Sequence, residues 1–223
     1  MARELLENAL YNDLKNFDED NPTVAIVQSN LATVYRHLGE LEKARYLSEA
    51  ALANSLKNFV EGHPTVSIRQ SNLALVYKDL NEPQKARDLL EAALDSDIKN
   101  FDEGHPQIAI YQSNLSNVYI DLGDLEKARE LLESALASDF KSFGEGSLNV
   151  AIHYNHLAWI FRDLGQWQQA LHYYQKAYDI WIKKLGNEHP NTISVTKSLA
   201  FTQAQPSKIT LPNSKLRKKH KKP

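Results

Sequence analysis

Cysteine is absent from this 223-residue chain, which excludes a disulfide framework, a thiol nucleophile and a thiolate metal site. Long apolar runs are absent too: none approaches the roughly 18–20 residues that a membrane-spanning helix needs. The opening MARELLENAL reads as an amphipathic helix and not as a signal peptide. No glycine-rich phosphate loop, nucleophile elbow or HExxH string occurs. What is present, 42% hydrophobic and 24% charged residues, is too apolar for a disordered chain. The expectation is a cytoplasmic, non-redox protein with one ordinary domain or a short repeat array.

Charge is unevenly spread. Residues 204–223 carry seven Lys and Arg and no acid, so residues 1–203 hold nineteen basic against 28 acidic residues, a net of −9. An acidic body and a flexible basic tail are read separately.

A period of 42 residues dominates the body. NLATVYRHLGELEKAR (30–45) returns as NLALVYKDLNEPQKAR (72–87), NLSNVYIDLGDLEKAR (114–129) and HLAWIFRDLGQWQQAL (156–171). The units are 21–62, 63–104, 105–146 and 147–188. Residues 1–20 align with the second half of a unit and 189–203 with the first half.

Each unit reads as two helices. Val24, Leu31, Tyr35 and Leu38 form the buried stripe of the first. It opens at Asn21-Pro22, His63-Pro64, His105-Pro106 and His189-Pro190, where Pro is tolerated at the first helical position. It stops near Gly39, Asn81, Gly123 and Gly165, residues that tolerate a left-handed helix end. A second helix spans about 41–58, with Ala44 and Ala51 small enough for close approach. Gly62, Gly104 and Gly146 then free the chain to reverse. Neither end shows a polar capping helix, which stacked repeats normally require. A larger parent protein, or self-association through the uncapped ends, is expected.

Leu31-Ala32 with Tyr35, Gly39, Ala44 and Ala51 resembles the tetratricopeptide pattern. The 42-residue period, the HP openings and the NLAxVYxDLG and KARxLLExAL strings resemble the kinesin light chain type of repeat over residues 1–203. The chain has no heptad coiled-coil stretch, the element by which kinesin light chains bind the motor subunit. The resemblance implies an all-α, right-handed solenoid of antiparallel helix hairpins that binds proteins.

Catalysis finds little support. His63, His105 and His189 recur at one position of the period and read as helix-opening residues, too far apart to share a metal. His153 and His156 could share a helix face, but no third ligand is evident. The repeated Asp and Glu read as surface charges. No metal, cofactor or small-molecule substrate is expected.

Binding is the stronger expectation. The stripe of the first helix at 26, 29/30, 33 and 37 would face a concave channel. Stacking makes columns of it: Asn30, Asn72, Asn114, then His156; Thr33, Leu75, Asn117, Trp159; and His37, Asp79, Asp121, Asp163, beside Ser29, Ser71, Ser113 and Asn155. A side-chain amide both donates and accepts, so an Asn ladder suits a peptide backbone. By resemblance, Asn at this place in tetratricopeptide proteins contacts the ligand backbone, which carries over to Asn30, Asn72 and Asn114. Alternatively each Asn bonds the neighbouring unit and holds the stack. A carboxylate in a helix's last turn opposes the helix dipole. Asp79, Asp121 and Asp163 therefore pair with a base of the next helix (Lys85, Lys127 and Arg129 are candidates) or favour a cationic ligand. Arg36, Arg69, Lys78 and Arg162 read as scattered and not as a dicarboxylate clamp. Trp159 is a candidate pocket wall.

The expected function is a scaffold holding a peptide or protein segment in the concave groove. The alternatives are a regulatory or sensor segment of a larger signalling protein, or nucleic-acid or anionic-surface binding through Lys215–Lys222.

Overall fold

Each first helix opens on a single capping atom. In the computed structural model, which describes residues 2–60, 62–102 and 104–205, Asn21 Oδ1 accepts from the Thr23 amide at 2.9 Å. His63, His105 and His189 do the same through Nδ1, at 3.1–3.2 Å. The imidazole lone pair thus replaces the oxygen of a conventional cap. Ser147 Oγ serves where neither His nor Pro is present, accepting from Val150 at 3.2 Å.

Ten helices and no strand occur among the described residues: α1 (Ala2–Asn16), α2 (Pro22–His37), α3 (Leu41–Asn58), α4 (Pro64–Asp79), α5 (Pro83–Asn100), α6 (Pro106–Asp121), α7 (Leu125–Phe143), α8 (Leu148–Asp163), α9 (Trp167–Leu185) and α10 (Pro190–Gln203). The basic tail, beyond Gln205, lies outside the described residues.

The first helices end in a shared turn. Gly39, Asn81, Gly123 and Gly165 take φ of 76°, 61°, 81° and 72°. The next amide then returns to the carbonyl of Tyr35, Tyr77, Tyr119 or Phe161 at 2.8–2.9 Å, satisfying an orphan acceptor. The reversal expected at Gly146 falls instead at Gly144, with φ 77°. The reason is that α7 runs to Phe143, one residue further into the period than α3 and α5, so the left-handed position shifts with it.

Every helix packs on the next, and α2 also touches α4, as α4 touches α6; α6 and α8 approach less closely. This is a solenoid whose first helices lie side by side. Its close spacing rests on two columns of fully buried alanine, Ala44, Ala86, Ala128 and Ala170, and Ala51, Ala93, Ala135 and Ala177. Leu31, Leu73, Leu115 and Leu157 fill the space between them.

A polar ladder fixes the stacking register. Tyr35 donates to Glu7 at 2.6 Å, Tyr77 to Glu49 at 2.8 Å, and Tyr119 to Glu91. Lys43, Lys85 and Lys127 stand 5.0–5.1 Å over the same three rings. Phe161 ends the series and stacks on Tyr173 at 5.3 Å. Phe59 and Phe101 stack on the capping His63 and His105, at 4.4 and 4.0 Å. Where Asn21 or Ser147 replaces that histidine, Phe17 and Phe143 are left about half exposed.

Candidate binding groove

The side-by-side first helices α2, α4, α6 and α8 present matching residues in rows. Ile26, Ile68, Ile110 and Ile152 occupy one row and are 37–50% exposed. One turn on come Asn30, Asn72 and Asn114. Asn72 Nδ2 donates to Ser29 Oγ at 3.0 Å, and Asn114 Nδ2 to Ser71 Oγ at 3.4 Å. Each amide therefore holds the preceding hairpin with one N–H, while a second N–H and the carbonyl oxygen remain for other use. Ser29 and Ser71, which accept these bonds, are buried and belong to the stack, whereas Ser113 is half-buried. Asn30 is exposed. His156, at the same place in α8, is shielded; burial pushes its pKa down to about 4, with His153 and Lys78 adding to the shift.

Thr33 is exposed, with its hydroxyl spent on the Ser29 carbonyl at 3.1 Å. Leu75, Asn117 and Trp159 are half-buried, and the Arg162 guanidinium lies 5.2 Å from the Trp159 ring centre. Trp159 lines none of the cavities described below.

The three aspartates are exposed, and their partners differ from those expected. Arg36 meets Asp79 and Lys78 meets Asp121, both at 3.4 Å, each base reaching from the preceding first helix. Ile120 interrupts the series, so Asp163 takes its neighbour Arg162 at 2.9 Å. Lys85, Lys127 and Arg129 are engaged elsewhere, with Glu82, Asp124 and Glu126. They start the second helices, where the first two stand over the tyrosine rings instead of beside the aspartates. The bases that looked scattered are thus a row in register with the acids. The exception is Arg69, which is buried.

Two acids are not surface charges at all. Asp97 and Asp139 occupy one position of the period on α5 and α7, and both are buried. Facing them, at another shared position, are Tyr111 and His153. Burial raises the Asp97 carboxyl, and burial with the Asp97 charge raises the Tyr111 phenol. His153 Nε2 lies 3.0 Å from Asp139 Oδ2. Burial holds this imidazole below its ordinary value, against the opposing pull of Asp139. The signal lay in the period: polar residues recurring at 97/139 and 111/153 on faces that pack against a neighbour.

A cavity of about 240 Å³ opens beside this pair, lined by Ile110, Asn114, Asp139, Phe143, Ile152 and His153 among others. Larger furrows, about 760 and 630 Å³, run between α3 and α5 and between α5 and α7; their charged liners Asp95, Lys99 and Lys141 are all exposed. Among the described residues no group of three His, Asp or Glu could hold a metal ion, and no helix is long and apolar enough to cross a membrane.

A family model described as tetratricopeptide repeat matches residues 1–57, 65–139, 140–181 and 149–208. Among solved structures, a Podospora anserina protein described by its kinesin light chain, nearly identical TPR-like repeats is 27% identical, with a TM-score of 0.71 over 82% of this chain and 86% of that one. A single-residue variant of it is 28% identical, with a TM-score of 0.72 over 81% and 85%. BtubC (BKLC) of P. vanneervenii, 23% identical, shares the fold with a TM-score of 0.68 over 91% and 82%. No curated protein matches the chain.

Proposed function

The chain belongs to the tetratricopeptide repeat family, and from that premise we propose that it is a scaffold holding an extended or helical segment of a protein partner in the groove of α2, α4, α6 and α8. Tetratricopeptide repeats mediate protein–protein interaction, and proteins of this kind are typically non-catalytic. The compartment we propose is the cytoplasm, where such proteins are common.

One observation carries the proposal: an exposed isoleucine at the same place in the first helix of four successive units, Ile26, Ile68, Ile110 and Ile152. Water-exposed β-branched side chains do nothing for a helix, and four in register make an apolar rail. Covering the exposed half of one isoleucine contributes roughly 1 kcal/mol. Four together can offset the ordering cost of a bound segment; one alone does not. Beside the rail, Asn30, Asn72 and Asn114 offer the remaining amide donors and acceptors to the segment's backbone. Thr33, Leu75, Asn117 and Trp159 form the next row of contacts. Asp79, Asp121 and Asp163 stand at the rim, where their paired bases leave little net charge.

The test is selection from a random-peptide display library, run on the native chain, on Asn72→Ala/Asn114→Ala and on Ile68→Ser/Ile110→Ser. A motif enriched by the native chain and lost in both variants supports the groove. Equal enrichment by all three, or none by the native chain, overturns it.

The exposed ends favour a second, additional reading. Tyr11, Leu14 and Tyr46 are exposed around a cleft of about 580 Å³ at α1 and α3, Leu5 is exposed elsewhere on α1, and Ile193 and Phe201 are exposed on α10. We propose that copies associate end to end, α10 supplying a first helix to the second-helix face of α1. Sedimentation equilibrium checks this: mass rising with concentration in the native chain, and a monomer in Leu10→Asp/Tyr11→Asp.

A further inference from the structure

The cavity between α6 and α8 exists because two residues of the period change there together. At the position of Arg69 and Tyr111, α8 carries the smaller His153. Tyr111 is fully buried in the preceding junction, whereas here a void of about 240 Å³ remains. At the capping position, Ser147 replaces histidine, so Phe143 loses the stacking partner that Phe101 keeps and lies open at the rim. The wider separation of α6 from α8 agrees with both changes. The space is below the roughly 300–1,000 Å³ of a site for a whole small ligand, which limits it to a single side chain.

The chemistry of its walls is uneven. Pro106, Ala109, Ile110, Phe143 and Ile152 make them apolar, with Ser113, Asn114 and Asn149 at the polar edge. At the base lie Asp139, 4% exposed, and His153, 6% exposed. His153 engages one carboxylate oxygen, Oδ2. A carboxylate has about four lone-pair sites, so this leaves acceptor capacity. Asp139 is the sole acid of the lining, and burial holds the His153 beside it below its ordinary value. A buried anion under an apolar collar complements a side chain with an aliphatic stem and a cationic head.

We propose that this cavity is a specificity pocket that takes one lysine or arginine side chain of the bound partner segment, its stem against Ile110, Ile152 and Phe143 and its charge on Asp139. The pocket rests on the groove proposed above, since Ile110, Asn114 and Ile152 belong to both. It sets the register of the segment: one basic residue must fall at the junction of α6 and α8, and the Asn rows then read backbone on the α4 side.

The experiment uses side-chain mimics on the full chain. Propylguanidinium and n-butylammonium, with N-propylurea and 1-pentanol as neutral counterparts, are titrated while the backbone amide resonances of Asn149 to His153 are followed. The cations should saturate these shifts with an affinity about ten-fold above the neutral molecules, the scale of one charge-assisted contact. Asp139→Asn should abolish the difference. If that variant does not fold, Phe143→Lys on the exposed rim gives the second arm: a fixed cation must eliminate mimic binding with the melting temperature retained. Equal affinities for cation and neutral mimic, shifts spread over other acidic surfaces, or undiminished binding in Phe143→Lys would overturn the pocket. Peptide selection separates its failure from that of the groove. An enriched motif without a basic residue sinks the pocket alone, whereas saturable cation binding with no enriched peptide sinks the groove alone.

Discussion

Asn72 and Ser29, 43 positions apart in sequence, are joined by a 3.0 Å side-chain bond between neighbouring first helices. The amide belongs to the groove row and the hydroxyl to the buried interface, so one residue serves stack and groove together. Their contributions separate by mutation. Ser29→Ala should lower stability by about 1 kcal/mol, the worth of one such bond. It should leave peptide selection unchanged, since Asn72 remains. Urea unfolding alongside display selection checks both; lost selection in Ser29→Ala would show that the amide must be anchored to act.

The glycines make a paired prediction. Gly144 has φ 77° whereas Gly146 does not adopt a left-handed conformation, and neither has a neighbour within 4 Å of an added Cβ. With ψ at 163°, Gly144 sits in a region open essentially to Gly alone, so Gly144→Ala should cost about 1–3 kcal/mol by backbone strain. Gly146→Ala should be neutral or slightly stabilising. Thermal unfolding of the two variants checks the contrast.

Alkaline titration reports the tyrosine ladder. Burial, with a bond to Glu49 or Glu91, pushes Tyr77 and Tyr119 up to about 12 from an ordinary 10. Below pH 10 folded and unfolded chains both keep these protons, and the stabilisation is complete. Between pH 10 and 12 the unfolded chain loses them first, so stability falls as pH rises. Phenolate absorbance should thus show a late-ionising fraction that shrinks in Tyr77→Phe and Tyr119→Phe. Both variants should fold, as Phe161 already fills the equivalent place in α8.

Acid titration reports the other end of the array. His156 is pushed down to about 4 and His153 is held below its ordinary 6.5, both chiefly by burial. Beyond burial, Asp139 from α7 acts on His153 in the opposite direction, whereas His153 and Lys78 from α4 add to the shift of His156. The unfolded chain binds these protons first as pH falls through 6.5, so stability should decline from pH 6.5 towards 4. His156→Gln should flatten that decline, measured by melting temperature against pH.

Much of this architecture was legible in the sequence because its signals are local. An Asn-Pro or His-Pro step caps a helix within two residues, and Gly39 or Asn81 ends one within a turn. Small Ala44 and Ala51 report close packing wherever they recur. The pairing of Asp79 and Asp121 was not legible, because helical spacing alone does not say whether a carboxylate turns towards its own second helix or the preceding first one. That depends on how far one hairpin is rotated against the next. Asp97 and Asp139 were missed for a related reason: hydropathy assigns a carboxylate to the surface, and only the Tyr111 and His153 facing them reveal an interior polar junction. In the groove, the Asn rows could be read from the period, whereas the cavity under Phe143 needed two substitutions to be seen acting together in space.

The bonds between hairpins span 28 positions from tyrosine to glutamate and 43 from asparagine to serine or from base to aspartate. A chain tied only to its nearest neighbours has a mechanical character. Pulled from its two ends, it should yield one hairpin at a time, each releasing a period's worth of chain, roughly 140 Å of contour. A segment lying along all four first helices would act as a splint across those joints, so the force needed to open the array would itself reveal whether the groove is filled.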